Sequence, residues 1–302
     1  MSFPNADRFR GFADLYDANR PHPPMALGPL LCRYAGATAP DVVDLGSGSG
    51  LSSRWAAGWA ATVVGVEPSD DMRATAVNRP LAALAYRAGT SDATGLPDAC
   101  ADVVLAVQAM HWMEPVGTLS EVDRLLRPGG MFATVDADWP PVAGVVGAEA
   151  AWAVLHRRMR VFEARAARGE DAEALRHTID DDDPALVDED LRDPHRNRLI
   201  PGGVRSWPKG EHLANIERSG HFAFCRELVF DQPADDDDPA TRFVALMRSQ
   251  GSYQGLRRAG LTDTELGADA FDAAVHAAFT AAVPTPASLS FSWRVRLGVK
   301  GR

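Results

Sequence analysis

DVVDLGSGSG, residues 41–50, is an apolar run that stops on an acid and turns into alternating glycines. Val42, Val43 and Leu45 read as a short buried strand, because the run is too short and too β-branched for a helix. Gly46, Gly48 and Gly50 then form a turn whose bare main chain a ligand can approach closely. LSSRWAAGWA follows with helical spacing, so the unit is strand, glycine loop, helix. Such a loop at the carboxyl end of a parallel strand commonly holds a nucleotide.

The alternation continues to about residue 138. TVVGVE (62–67) reads as a second strand, and a helix begins near SDDMRATAVN with Ser69 as N-cap and acids in its first turn. AYRAG is a third strand, DVVLAVQAM a fourth, EVDRLLRPGG a helix ended by Pro-Gly-Gly, and GMFATVDAD a fifth. Repeated βα units of this length predict an α/β fold, with a parallel sheet covered by helices on both faces.

The pattern breaks at DWPPVAG (138–144), and from there to about residue 210 the sequence reads as mainly helical and charge-rich. EAAWAVLHRRMRVFEARAAR is the clearest helix, with Trp152, Leu155, Met159 and Phe162 on one face. CRELVFDQ and ASLSFSWRVRLGVK look like strands, separated by two helices, DPATRFVALMRSQGSYQGL and DTELGADAFDAAVHAAFTAAV. The expected organisation is a core over 1–139, a helical cap over 140–210 that meets the substrate, and a resumed core over 211–302 carrying the last two strands.

With 302 residues, 46% hydrophobic and 24% charged, the composition is that of an ordinary globular protein. No apolar stretch approaches the roughly 20 residues a membrane helix needs. The opening residues lack the apolar core of a signal peptide, which argues against export. Three cysteines, Cys32, Cys100 and Cys225, without metal-ligand spacing read as reduced thiols in a cytoplasmic protein. The net charge of −10 opposes a nucleic-acid partner, whose phosphates call for excess lysine and arginine. Two DDDDP runs, at 180–184 and 235–239, read as solvated loops ending at proline rather than as metal sites, which need converging ligands.

The glycine loop is G-x-G-x-G, whereas a dinucleotide fingerprint is G-x-G-x-x-G, and Leu51 occupies the sixth place. Glu67 ends the second strand, where a carboxylate accepts hydrogen bonds from both ribose hydroxyls. Asp44 directs a second negative charge at the same cleft, which is unfavourable beside a pyrophosphate and favourable beside a cationic ligand.

YDANRP (16–21), VVDLGSGSG (42–50), VVGVEPSDDM (63–72), GTSDATGLPDACADVV (89–104), QAMHW (108–112) and LLRPGG (125–130) follow in order. Together they resemble the class I S-adenosylmethionine-dependent methyltransferases, in their small-molecule branch. The resemblance covers residues 14–138 and implies a doubly wound, mostly parallel, seven-stranded Rossmann-like sheet with an antiparallel last strand. It also implies S-adenosyl-L-methionine as cofactor. Gly46, Ser47, Gly48 and Gly50 would pass under its methionine part, and Asp44 would help hold the ammonium, directly or through water. Glu67 would hold the ribose, with Pro68 and Met72 flanking the adenine and Asp92 and Ala93 beside it. Gln108 would face the cofactor from the end of strand four, and Tyr16 and Arg20 match an N-terminal lid whose arginine reaches the cofactor carboxylate. Read from the residues alone, the lesser alternatives are Asp44 as a helix or turn cap, Met72 as plain core and Arg20 as a surface residue.

Methyl transfer from a sulfonium is an in-line displacement for which positioning and exclusion of water supply much of the rate. A general base helps when the acceptor is a hydroxyl or a carbon acid, and no metal is required. His111 is the best-placed base by sequence, or else a wall residue that orients the loop. Glu163 and Glu170 of the cap are the next carboxylates. Trp112 and Trp139 form either an aromatic wall or core, and HRRMR (156–160), Trp207, Tyr253 and His212 are further candidates. Base methylation usually comes with an Asn/Asp-Pro-Pro-aromatic motif, and here that place reads QAMHW. The expected function is methyl transfer to a small-molecule acceptor. The alternatives are a nicotinamide-dependent oxidoreductase and a non-catalytic adenosylmethionine-binding protein.

Overall fold

A computed structural model describes residues 18–167, 169–171, 173–174, 198–200, 204–234, 236–284 and 288–302. After helix α1 (Leu27–Ala35), strand β1 (Asp41–Leu45), helix α2 (Leu51–Ala56), strand β2 (Thr62–Val66), helix α3 (Asp70–Val77) and strand β3 (Leu84–Arg87) follow in order. Ser69 caps α3 by accepting from Met72 N, as its sequence predicts. Strand β4 (Ala101–Val107), helix α4 (Pro115–Leu125) and strand β5 (Leu126–Ala137) complete the five-stranded parallel unit.

One boundary departs from expectation. Helix α4 starts earlier, capped by the Glu114 carboxylate on the N–H groups of Val116 and Gly117, and it ends at Leu125. Pro128-Gly129-Gly130 does not stop a helix. It lies within β5, where the pairing shifts from Ala101↔Leu126 to Val103↔Met131 and the extra residues form a bulge.

Beyond β5 come helix α5 (Val146–Ala167), the hairpin strands β6 (Arg198–Ile200) and β7 (Val204–Ser206), helix α6 (His212–Arg218) and strand β8 (Phe222–Pro233). The hairpin adds two short strands to this stretch, which also carries the long helix α5. Helices α7 (Pro239–Arg248), α8 (Gly251–Arg258), α9 (Asp263–Leu266) and α10 (Ala268–Ala281) precede strand β9 (Ser290–Lys300). The two expected helices are therefore four, the first broken at Ser249-Gln250 and the second at Gly267, whose φ is +78°.

The sheet order is β3-β2-β1-β4-β5-β9-β8, with β9 antiparallel to both neighbours and the other strands co-directional. Alternation along β4 sorts side chains to the two faces. Val103 and Leu105 join a core with Leu27 and Leu31 of α1, while Val104 and Ala106 join Leu119, Val122 and Leu125 of α4. The first core continues into the helices beyond the sheet. There Trp152 of α5 lies parallel to Trp139 at 6.2 Å and edge-on to Phe243 at 5.1 Å and Phe271 at 6.4 Å. Leu155, Met159 and Phe162 are buried on the same face of α5, as their spacing predicts.

β5 ends, and β9 begins, at the carboxyl edge of the parallel strands, where Ala137 pairs with Trp293 and Val142 bridges Ser290. Helix α5 and helices α7–α10 both leave the sheet from this edge, and α5 packs on α8, α9 and α10. Among the described residues, no helix is long and apolar enough to cross a membrane.

Candidate active site

The strand order reverses at β1, which pairs with β2 on one side and β4 on the other, and a crevice opens there beyond the carboxyl ends. A cavity of about 370 Å³ occupies it. Its floor is the glycine loop. Gly46 has φ +66°, and a Cβ there would meet Met113 Cε at 2.7 Å and Ala109 Cβ at 2.9 Å. Gly48 has φ +55°, and a Cβ would find only Met72 Cε, at 3.9 Å, so the main chain is laid bare toward open space. Gly46 N and Ser47 N both donate to Val66 O, at 2.8 and 3.2 Å, which fixes the loop against β2.

Glu67 follows β2 and is 7% exposed. Its Oε2 accepts from Gly48 N and its Oε1 from Ser69 N, each at 2.9 Å. Burial pushes its pKa up, and the two N–H donors and Arg73 work against that rise. Each oxygen keeps a further lone pair, so Glu67 is an anchored acceptor on the cavity wall.

Of the cofactor residues expected from sequence, Arg20, Gly46, Ser47, Gly48, Glu67, Pro68, Met72, Asp92 and Gln108 line the cavity. Tyr16 lies outside the described residues. Three others do not line it. Gly50 heads α2 at φ +86°, and a Cβ there would collide with the Tyr86 hydroxyl. Ala93 is exposed and bridged to Thr90. Asp44 is fully buried behind the loop, its Oδ2 accepting from Ser52 Oγ and Ser53 Oγ at 2.6 Å each. Its Oδ1 is buried without a hydrogen-bond partner among the described residues, and Ser52 itself lines the cavity. Burial pushes the Asp44 pKa up to about 6, against the two hydroxyl donors.

The two expected bases are placed elsewhere. His111 sits in the 3₁₀ turn Met110–Trp112, outside the lining, with Nδ1 3.9 Å from Asp136 Oδ1 and its ring against Trp112 at 4.5 Å. Glu170 faces Arg165 at 3.8 Å, also away from the cavity. Trp112 and Trp207 do line the cavity. Trp139 does not; it packs on Trp152 and Phe291 and carries the Arg20 guanidinium 4.7 Å above its ring. Pro21, Pro23, Ser91, Met113 and Glu114 are among the further lining residues, and no role was expected of them from sequence.

Two groups behind the wall shape it. Thr94 gives its N–H and hydroxyl to Glu121 Oε1, at 3.0 and 2.5 Å, which ties the Asp92 loop to α4. The Arg124 hydrogen bonds hold the Glu121 carboxyl down to about 2. The second group centres on Asp136, 1% exposed near the end of β5, with Lys209, His212, Arg296 and His111 around it. Burial alone would raise its pKa, but the charges of Lys209, His212 and His111 hold it well below the carboxylate range.

The second DDDDP run is partly structural. Asp238 caps α7 through Thr241 N at 3.0 Å. The first run lies outside the described residues. Among the described residues, no group of three or more His, Cys, Asp or Glu side chains is arranged to hold a metal.

A Rossmann-like sheet with a glycine loop and an acid after the second strand defines a nucleotide-cofactor enzyme of the doubly wound class. Comparison with known proteins narrows the class. Residues 43–134 match the family described as methyltransferase domain. An uncharacterised methyltransferase of Mycobacterium tuberculosis is 36% identical over 121 residues, 40% of this chain and 48% of the relative. The chain thus spans about half the length of the curated relatives first matched. A structure from Anaeromyxobacter dehalogenans, provisionally described as a type II methyltransferase, superposes with a TM-score of 0.55 at 22% identity over 93% of this chain and 97% of that one. A Haemonchus contortus phosphoethanolamine N-methyltransferase, solved with phosphomonomethylethanolamine and S-adenosylhomocysteine, gives 0.51 at 14% identity over 100% and 61%. Residues 43–134 thus match a methyltransferase domain, and the fold around them is the Rossmann-like one of the solved methyltransferase.

Proposed function

We propose that the protein transfers a methyl group from S-adenosyl-L-methionine to a small-molecule acceptor bound in the same cavity. The observation that carries this reading is Glu67, held by Gly48 N and Ser69 N at 2.9 Å while facing the cavity beside a bare glycine loop. The residues fit the cofactor: Glu67 is an acceptor pair for ribose hydroxyls, Pro68 and Met72 offer apolar surface to adenine, and Arg20 offers a cation to a carboxylate. When bound, the sulfonium supplies an electrophilic methyl, whose bond to sulfur breaks as the bond to the acceptor forms.

The chain's own contribution is alignment and dryness. Trp112, Met113, Trp207, Pro21 and Pro23 give the cavity apolar and aromatic walls that exclude water. Neither His111 nor Glu170 lines the cavity, so the geometry supports catalysis by positioning rather than proton removal by either residue. We assign helix α5 to a cap above the carboxyl edge, because it leaves the sheet there and packs on β6 of the hairpin, after which Trp207 reaches the wall. The test is methyl release from radiolabelled S-adenosylmethionine across a panel of phenols, amines and carboxylic acids. Turnover of one class supports the reading. Binding of NAD in place of adenosylhomocysteine would replace it with an oxidoreductase.

A further inference from the structure

Gln108 follows β4 with φ +52°, the left-handed region that residues other than glycine rarely occupy. Its N–H donates to Val135 O at 2.8 Å, which fastens the strained residue to β5, and the residue lines the cavity. Lys209 opens the 3₁₀ turn Lys209–Glu211 that follows β7. Its Nζ lies 2.7 Å from Gln108 Oε1 and 3.1 Å from Asp136 Oδ1. A lysine ammonium has donors only, so a flipped amide would set NH₂ against NH₃⁺. The Gln108 oxygen must face Lys209 and its NH₂ must face away. That Nε2 is buried, and among the described residues no acceptor lies within hydrogen-bond distance of it. A buried amide donor calls for an acceptor from a ligand or water.

We propose that Lys209, held by Asp136, is a positioning residue that locks the Gln108 amide with its NH₂ toward the bound ligand. This point of the cavity is then specific for an oxygen acceptor, such as a carboxylate, carbonyl or phenolate, and unfavourable to an ammonium. Asp136 serves as the fixed base of the lock. It is buried, and besides Lys209 it is faced by His212 Nδ1 at 3.3 Å and Arg296 at 3.6 Å. The oxygen comes from one of two sources, the amino-acid carboxylate of the cofactor or the methyl acceptor itself. The inference rests on the cofactor reading above for the identity of the ligand, and not for the orientation of the amide.

The experiment uses protein labelled with ¹⁵N at glutamine side chains, with the Gln108 signal assigned by its loss in Gln108→Glu. Lys209→Met should move the Gln108 amide pair, and Lys209→Arg should return it toward its wild-type position. Gln108→Glu keeps the size and the Lys209 partner but replaces the donor with an acceptor. If the oxygen is the cofactor's, this variant binds S-adenosylhomocysteine roughly tenfold or more weakly. It then binds 5′-methylthioadenosine, which lacks the carboxylate, as the wild type does. If the oxygen is the acceptor's, both nucleosides bind normally, and sodium benzoate moves the Gln108 pair in adenosylhomocysteine-saturated wild type. An amide pair indifferent to Lys209→Met overturns the lock, and one untouched by all three ligands overturns the donor role. Failure of the wild type to bind adenosylhomocysteine would instead sink the cofactor reading, while the Lys209 comparison still decides the lock.

Discussion

Trp207 donates its backbone N–H to the carbonyl oxygen of His111 at 2.8 Å, which stitches the residue after β7 onto the turn after β4. The bond is main chain to main chain, so it survives replacement of either side chain. The Trp207 indole is then free to be tested as wall. Trp207→Ala should lower turnover of the acceptor, chiefly through KM, while calorimetry shows adenosylhomocysteine affinity nearly unchanged. A variant that loses cofactor affinity and keeps the acceptor KM would place Trp207 on the wrong ligand.

Asp44 gives a pH signature. Its folded pKa of about 6 lies above the unfolded value of 3.8, so the folded state binds the extra proton. The ionised carboxylate therefore weakens the fold progressively as pH rises through that window. The difference approaches about 3 kcal/mol above the folded value, taking 1.36 kcal/mol per unit. Asp44→Asn should gain stability relative to the wild type between about pH 4 and 6, read as the difference in urea midpoints. A difference that stays flat across this range would refute the buried, proton-retaining carboxyl.

The Thr94–Glu121–Arg124 clamp has the opposite sign. Glu121 is depressed to about 2, so its contribution is complete above the unfolded value of 4.5 and is lost as pH falls toward 2. Glu121→Ala should cost about 1.5–3 kcal/mol at neutral pH, the worth of a charge-assisted hydrogen bond. The deficit should shrink in acid. Thermal melts at pH 7 and pH 3 check this, and an equal deficit at both would assign the loss to packing.

Much of the sheet was legible because its chemistry is local. DVVDL and TVVGV are β-branched runs bounded by turn residues, and Ser69 announces the start of its helix. Gly46, Gly48 and Glu67 were legible for the same reason, since backbone clearance and an acid after β2 are read within one βα unit. What the sequence does not show depends on direction or distance. His111 is next to the cavity in sequence, but the 3₁₀ turn aims it at Asp136. The bonds from Ser52 and Ser53 to Asp44 cross the glycine loop from the start of α2, and no local pattern announces them. The hairpin's sequence signal is Pro-Gly-Gly between RLI and VRS, a turn composition set among charged neighbours. The pairing of Lys209 with Gln108 and Asp136 joins separate segments and has no sequence signature.

The aromatic centre of the helices is testable by truncation. Trp152 is 3% exposed and contacts Trp139, Phe243 and Phe271. Trp152→Ala should cost about 3–5 kcal/mol, as for other buried aromatic truncations. It should also raise protease sensitivity in residues 146–167 and 239–281 before the sheet opens. Uniform sensitivity along the chain would show that helices and sheet unfold as one unit.

The central claim is that the glycine-loop cavity holds S-adenosylmethionine through Glu67. Its most direct test is a calorimetric titration of S-adenosylhomocysteine into wild type and Glu67→Ala, with NAD as the competing ligand and circular dichroism to confirm that both proteins are folded. The account predicts one site for adenosylhomocysteine, affinity weakened about tenfold or more by the substitution, and no heat from NAD. Adenosylhomocysteine bound equally well by both proteins, or NAD bound in its place, would contradict it.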